Sequence, residues 1–196
     1  MDPRSFATLY ALTTASGIRP FIVLALAALA MHFGYLHPSH PFQWLGSSGA
    51  TAVLTGLAVL EFLADKVPYV DHALHAVHFT VAPVVAAILV GTFAQAGTGG
   101  GIDGGTALLM VLGALNALGV HGGVTAVRAV STASTGGLGN PLVSIAEDVL
   151  AVAGMLGAFA LPVVTALVAL AFSLAAFWVV RRLWRTTRSP GPGPAR

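Results

Sequence analysis

The sequence predicts an all-α integral membrane protein with about six transmembrane crossings, two broken helices and an inverted internal repeat. Three observations carry this expectation. Of 196 residues, 56% are hydrophobic and only 8% are charged, whereas a soluble domain carries about 25% charged residues. The apolar residues form long runs interrupted by glycine and proline, with 23 glycines in all, a usage that suits close helix packing and broken helices in membranes. Some of the few charges fall inside those runs, at Arg19, Glu61, Arg128 and Glu147-Asp148. Each is costly there unless paired, neutralised or facing water.

Composition also excludes function classes. There is no cysteine, so no disulfide framework, zinc-thiolate site or catalytic thiol. The net charge is +2, and the basic balance comes from C-terminal arginines, so no nucleic-acid partner is expected. The start, MDPRSFATLYALTTASG, lacks a basic n-region followed by a clean apolar core and does not read as a secretory signal peptide. No cofactor is implied. No GxSxG elbow or HExxH pattern occurs, which argues against an enzyme. A membrane hydrolase would have only Ser131, Ser134, Ser144 and the histidines to draw on.

The elements follow in order. Ser5 to Ala15 predicts a short apolar helix that breaks at Ser16-Gly17, and Pro20 opens a second piece running to Leu36. His37 to Ser48 reads as a loop with Trp44 as an interface anchor. Gly49 to Ala64 is a second span, and Glu61 is its one charge. His72 to Phe93 is a third, with Pro83 inside it as a kink. Asp71, His72, His75 and His78 open that span as a drifting stripe. The first reading is a polar helix entrance at the headgroups. The alternative is a divalent-metal site using Asp65, Asp71, His75 and His78. Ala94 to Gly105 is a glycine loop with no GxxxxGK[ST] pattern, so not a phosphate loop.

Thr106 to Leu118 then predicts a second short helix, broken at Gly119-Val120-His121-Gly122-Gly123 and continued from Val124 to Thr135 with Arg128. Pro141 to Ala158 is the fifth span, holding Glu147 and Asp148, and Leu161 to Trp184 is the sixth. The halves thus repeat one order: short helix, small-residue break, arginine, a span with an acid, a last span. On this reading residues 1–96 form the first half, 97–105 the junction, 106–188 the second half and 189–196 a disordered tail. With three crossings per half the repeats are inverted and both termini share one side. Arg4, Lys66 and the C-terminal arginines fall there, and the positive-inside rule makes that side cytoplasmic. Crossing twice per half, through re-entrant segments, remains the alternative topology.

ASGIRPF (Ala15 to Phe21), LEFLADKVPYVDHALHAVH (Leu60 to His78) and HGG…R…ST…EDVL (His121 to Leu150) resemble a bacterial family of small membrane proteins, the domain of unknown function of the DUF4126 type. The resemblance runs from about Ala15 to Trp184 and implies a multi-pass protein of the bacterial inner (plasma) membrane. It also implies that the position where this chain has Arg19 is often a neutral polar residue. It brings no activity with it.

The residues themselves point to a small secondary transporter, or a flippase-like carrier, for an anionic substrate. Half-helix N-termini favour anions, and Ser16, Gly17, Arg19, His121, Gly122, Gly123 and Arg128 surround the two breaks. Glu61, Glu147 and Asp148 are the candidate carriers of a coupling proton. The expected partners are the bilayer, a small anionic solute or lipid headgroup, and a second copy in a homo-oligomer. A cation or metal transporter or channel and a purely structural or assembly role are the alternatives. In the last, the arginines and acids pair as buried glue.

Overall fold

The computed structural model describes residues 1–95 and 101–187, without the side chains of residues 68, 69, 71, 72, 183, 186 and 187. The tail at 189–196 and residues 97–100 of the glycine junction therefore lie outside the described residues. The described chain is all-helical: α1 (Pro3–Ile18), α2 (Pro20–His32), a 3-10 helix over His40–Gly46, α3 (Ser48–Ala64), α4 (Pro68–Phe93), α5 (Gly104–Thr135), α6 (Asn140–Ala160) and α7 (Pro162–Thr187).

Local chemistry sets these bounds. Proline opens α1, α2, α4 and α6, where its missing N–H costs no hydrogen bond. Asp2 accepts from the Ser5 N–H at 2.8 Å and Asp103 from the Thr106 N–H at 2.6 Å, capping α1 and α5. The Thr106 bond also holds the Asp103 carboxyl below its usual pKa. Gly136, at φ 62°, ends α5 in a left-handed cap.

Helix α1 is the axis of the bundle. It packs against α2, α4, α5, α6 and α7, and 10 of its 16 residues are buried. The core runs from Leu12, Ala15 and Ile18 through Val23, Leu45 and Leu89 to Val120, Ala151 and Met155. The outward faces are apolar. Leu108, Leu115, Leu167, Leu174 and Phe177 are all exposed, as expected of helices solvated by lipid chains.

Among the described residues four helices are long and apolar enough to cross a membrane: Ala73–Phe93, α5, α6 and Pro162–Arg182. A fifth candidate arises if the 3-10 helix and α3, bent by 66°, count as one span. The first expected crossing is divided between α1 and α2, of 16 and 13 residues, neither of which reaches that length alone.

Two expected breaks differ from what forms. The first falls at Arg19, not at Ser16-Gly17. The second does not form: α5 runs unbroken for 32 residues through Gly119-Val120-His121-Gly122-Gly123. The small residues serve close packing instead. A Cβ on Gly17 would lie 2.7 Å from the Ala117 carbonyl oxygen, and one on Gly123 would lie 2.3 Å from the Ala176 Cβ. These glycines let α1 meet α5, and α5 meet α7, backbone to backbone. Gly123→Val is therefore expected to destabilise by about 1–3 kcal/mol through overpacking. Gly119→Ala meets nothing within 4 Å and is expected to be neutral or slightly stabilising. Thermal unfolding in mild detergent checks both, and equal melting temperatures would contradict the packing role.

Candidate functional site

The site begins at the break between α1 and α2. Pro20 disfavours the helical conformation for the residue before it, and Arg19 adopts φ −139° and ψ 88°. The break leaves the first N–H groups of α2 without intrahelical partners, and Arg19 supplies no side-chain cap. Glu61 does so from α3: its Oε2 accepts from the Ile22 N–H at 2.8 Å. A carboxylate at a helix N-terminus is also favoured by the helix dipole. The other oxygen, Oε1, lies 3.0 Å from His78 Nε2. Glu61 is 1% exposed, so the anomalous acid of α3 is a cap delivered from a neighbouring helix.

Beside it lies an ion network of three bases and three acids, buried except for Lys66. Arg19 is fully buried and pairs with Asp65, with Glu147 at 3.2 Å and with Asp148 at 3.0 Å. Arg128 holds Glu147 in a fork, Nε to Oε1 at 2.9 Å and Nη2 to Oε2 at 2.5 Å, and reaches Asp65 Oδ1 at 2.9 Å. Lys66 contacts Asp148 at 3.0 Å and donates to Ser144 Oγ at 2.6 Å, while Ser144 also bonds Asp65. Every carboxylate thus meets at least two cations, the geometry that offsets desolvation of buried charge. Arg19 Nη1 is buried without a hydrogen-bond partner among the described residues.

A third group adjoins the first two. His75 and His78 of α4 and His121 of α5 are all buried. The rings of His75 and His121 stack at 5.3 Å, and His78 meets His121 edge-on at 5.6 Å. His121 Nδ1 lies 3.2 Å from the Gly17 carbonyl oxygen and Nε2 lies 3.1 Å from that of His75. A cleft of about 610 Å³ between α4 and α5 reaches this region, lined by His75, Phe79, Thr125, Arg128, Thr132 and Asn140. It connects the ion network and the histidines to the exterior.

The residues singled out from sequence separate into distinct fates. Arg19, Arg128, Glu147 and Asp148 come together in the ion network. Glu61 and His121 stand beside it. Ser16 turns its hydroxyl back onto the Thr13 carbonyl at 3.0 Å, Gly17 and Gly123 pack helices, and Gly122 has open space around it. Of the alternative metal set, His75 and His78 stay together, whereas Asp65 turns away to Arg19 and Arg128. The Asp71 side chain lies outside the described residues. The N-terminus of α2, expected to attract a substrate anion, is occupied by Glu61. Lys66, in the turn between α3 and α4, is also a member of the network.

Lys66 and Ser144 were not legible as site residues. One signal was available for Ser144: Ser144, Glu147 and Asp148 stand three and four apart and therefore share one face of α6. The bond from Lys66 to Ser144 spans 78 residues, and no local pattern reports it.

The family model described as "Domain of unknown function (DUF4126)" matches residues 6–182. No curated protein and no solved structure matches the chain.

Proposed function

The chain belongs to the DUF4126 family, and from that premise we propose a small proton-coupled secondary carrier for an anionic substrate, either a small organic or inorganic anion or a lipid headgroup. One observation supports this reading above the others: a charge-balanced ion network buried among apolar helices has one member, Arg128, on the wall of an open cleft. As glue alone, such a network is a poor investment, because well-packed apolar residues often stabilise as well or better. A network that must open and close gives the charges a use.

In this reading an anion entering the cleft competes with Glu147 and Asp65 for Arg128. Protonation of Glu147 or Asp148 weakens the carboxylate's hold and frees the guanidinium for the substrate. One proton taken up per negative charge of substrate keeps the buried site neutral, which avoids the cost of a net charge at membrane depth. Arg19 holds the remaining acids in place at the helix break. Glu61, expected from sequence to couple, is assigned the cap of α2 instead, so coupling rests on Glu147 and Asp148.

The same reading pairs α1/α2, α3 and α4 with α5, α6 and α7 as inverted halves of three crossings each. Both termini then lie at the cytoplasmic face of the inner membrane, with Arg4 and the arginines at 181, 182 and 185.

The test is uptake by reconstituted vesicles offered phosphate, sulfate, short carboxylates or a labelled anionic lipid, with and without an inward proton gradient. Gradient-driven uptake is expected, falling to the level of protein-free vesicles in Arg128→Ala. Glu147→Gln is expected to retain flux that no longer follows the gradient. Gradient-driven uptake persisting unchanged in Glu147→Gln and Asp148→Asn rejects proton coupling through these acids. No flux of any of these probes, together with a stable partner in mild-detergent pull-down, favours the assembly role.

A further inference from the structure

We propose that His75, His78 and His121 hold one divalent transition-metal ion of the zinc type. This goes beyond the carrier reading and does not rest on it. One nitrogen from each ring can be chosen so that the three lie within 4.8 Å of one another. Tetrahedral zinc with bonds of about 2.0–2.1 Å needs nitrogens roughly 3.3 Å apart, so the rings close by about an ångström or more on binding. Three neutral imidazoles suit zinc, cobalt, nickel or copper. Magnesium and calcium take oxygen ligands, and no carboxylate belongs to the trio.

Two of the three rings already have the partners that metal-binding histidines use. A ligating histidine characteristically donates its other N–H to a carboxylate or a backbone carbonyl. His78 Nε2 faces Glu61 Oε1 at 3.0 Å. That approach is an ion-pair contact and not an aligned hydrogen bond, since Nε2 and Nδ1 of His78 are both buried without a hydrogen-bond partner among the described residues; with the proton on Nε2, the lone pair sits on Nδ1. His121 Nδ1 faces the Gly17 carbonyl oxygen at 3.2 Å, and a proton there places the lone pair on Nε2, which lies 3.1 Å from the His75 carbonyl oxygen and turns from it to reach a metal. Glu61 thus has two tasks, one oxygen on α2 and the other orienting His78.

Charge points the same way. The network of Arg19, Lys66 and Arg128 with Asp65, Glu147 and Asp148 is balanced. Glu61 is a further buried acid, so with the exposed Lys66 counted the acids of this region exceed its bases by one, and the surplus carboxylate touches a histidine. A cation at the histidines answers it. His75 also lines the cleft beside Phe79 and Thr125, which provides the way in.

The test uses the full chain in mild detergent after chelator treatment, titrated with Co²⁺ alone. One equivalent is expected to bind with the visible absorption of tetrahedral cobalt, and Zn²⁺ is expected to displace it. His78→Ala and His121→Ala should each lose that spectrum, and His40→Ala, exposed in the 3-10 helix, should keep it. Glu61→Gln is expected to weaken binding by about 10- to 100-fold, the usual effect of removing an orienting partner. The wild-type titration decides without any variant having to fold: no tetrahedral spectrum overturns the site. So does a spectrum that survives in both His78→Ala and His121→Ala.

Discussion

Arg19→Ala is expected to lose about 3–5 kcal/mol of unfolding free energy, the cost of stranding buried carboxylates by removing their partner. Arg19 is the member of the network that touches all three acids, on α6 and at the end of α3. Without it, Lys66 and Arg128 face three carboxylates, and one negative charge stays unmatched among buried side chains. The loss is therefore electrostatic before it is steric, and it should be partly reversible by charge alone. Arg19→Gln with Asp148→Asn restores two bases against two acids. The pair is expected to recover at least about half of the stability that Arg19→Gln loses by itself. Unfolding in mild detergent, read by melting temperature and by denaturant titration, measures both. An Arg19→Ala chain as stable as the parent would mean that the network contributes no net stability. The neutral polar residue that the family resemblance implies at this position makes the double variant the informative one, since it asks whether this chain's arginine and its surplus acid come as a set.

Glu61→Leu has the second largest expected effect. It removes the acceptor of the Ile22 N–H and the partner of His78 together. The orphaned Ile22 N–H alone costs about 1–3 kcal/mol, and the lost His78 contact adds to it, so a loss of about 2–4 kcal/mol is expected. Glu61→Gln separates the two roles. Its amide carbonyl still accepts from Ile22, while its NH₂ faces His78 and forces the ring into the other tautomer. The stability loss should then shrink to about 1 kcal/mol, while the lone pair at Nδ1 disappears. Amide exchange at Ile22 provides the local reading: fast in Glu61→Leu, protected in Glu61→Gln. Equal protection in both variants would show that α2 does not depend on Glu61 for its cap.

These two residues also show how far the sequence can be read. Glu61 stands out because it is the only charge in α3, and Arg19 because it precedes a proline between apolar runs. Their importance is a one-dimensional fact. Their partners are not. From the sequence alone, the small residues at 16–17 and 119–123 look like breaks, because glycine weakens a helix in isolation. In the folded chain Gly17 and Gly123 admit Val120 and Ala176, and packing outweighs propensity. Asp65 looks like a neighbour for His75 and His78 because all lie within one charged stretch. It turns instead toward Arg19 at the α1–α2 break and Arg128 of α5, since an unpaired arginine in that interior is the costlier outcome.

The sequence by itself determined an all-helical chain with apolar crossings, a helix opened by Pro20 and a small set of charges within apolar runs. Those properties follow from composition, period and backbone sterics, which act locally. Only the tertiary structure decided which charges meet. Arg19 finds Asp65 across 46 residues and Ser144 across 125, and His121 joins His75 from the neighbouring helix. Such pairings depend on which faces of which helices are pressed together, and in lipid that is set by close small-residue packing and by the need to satisfy every buried polar group.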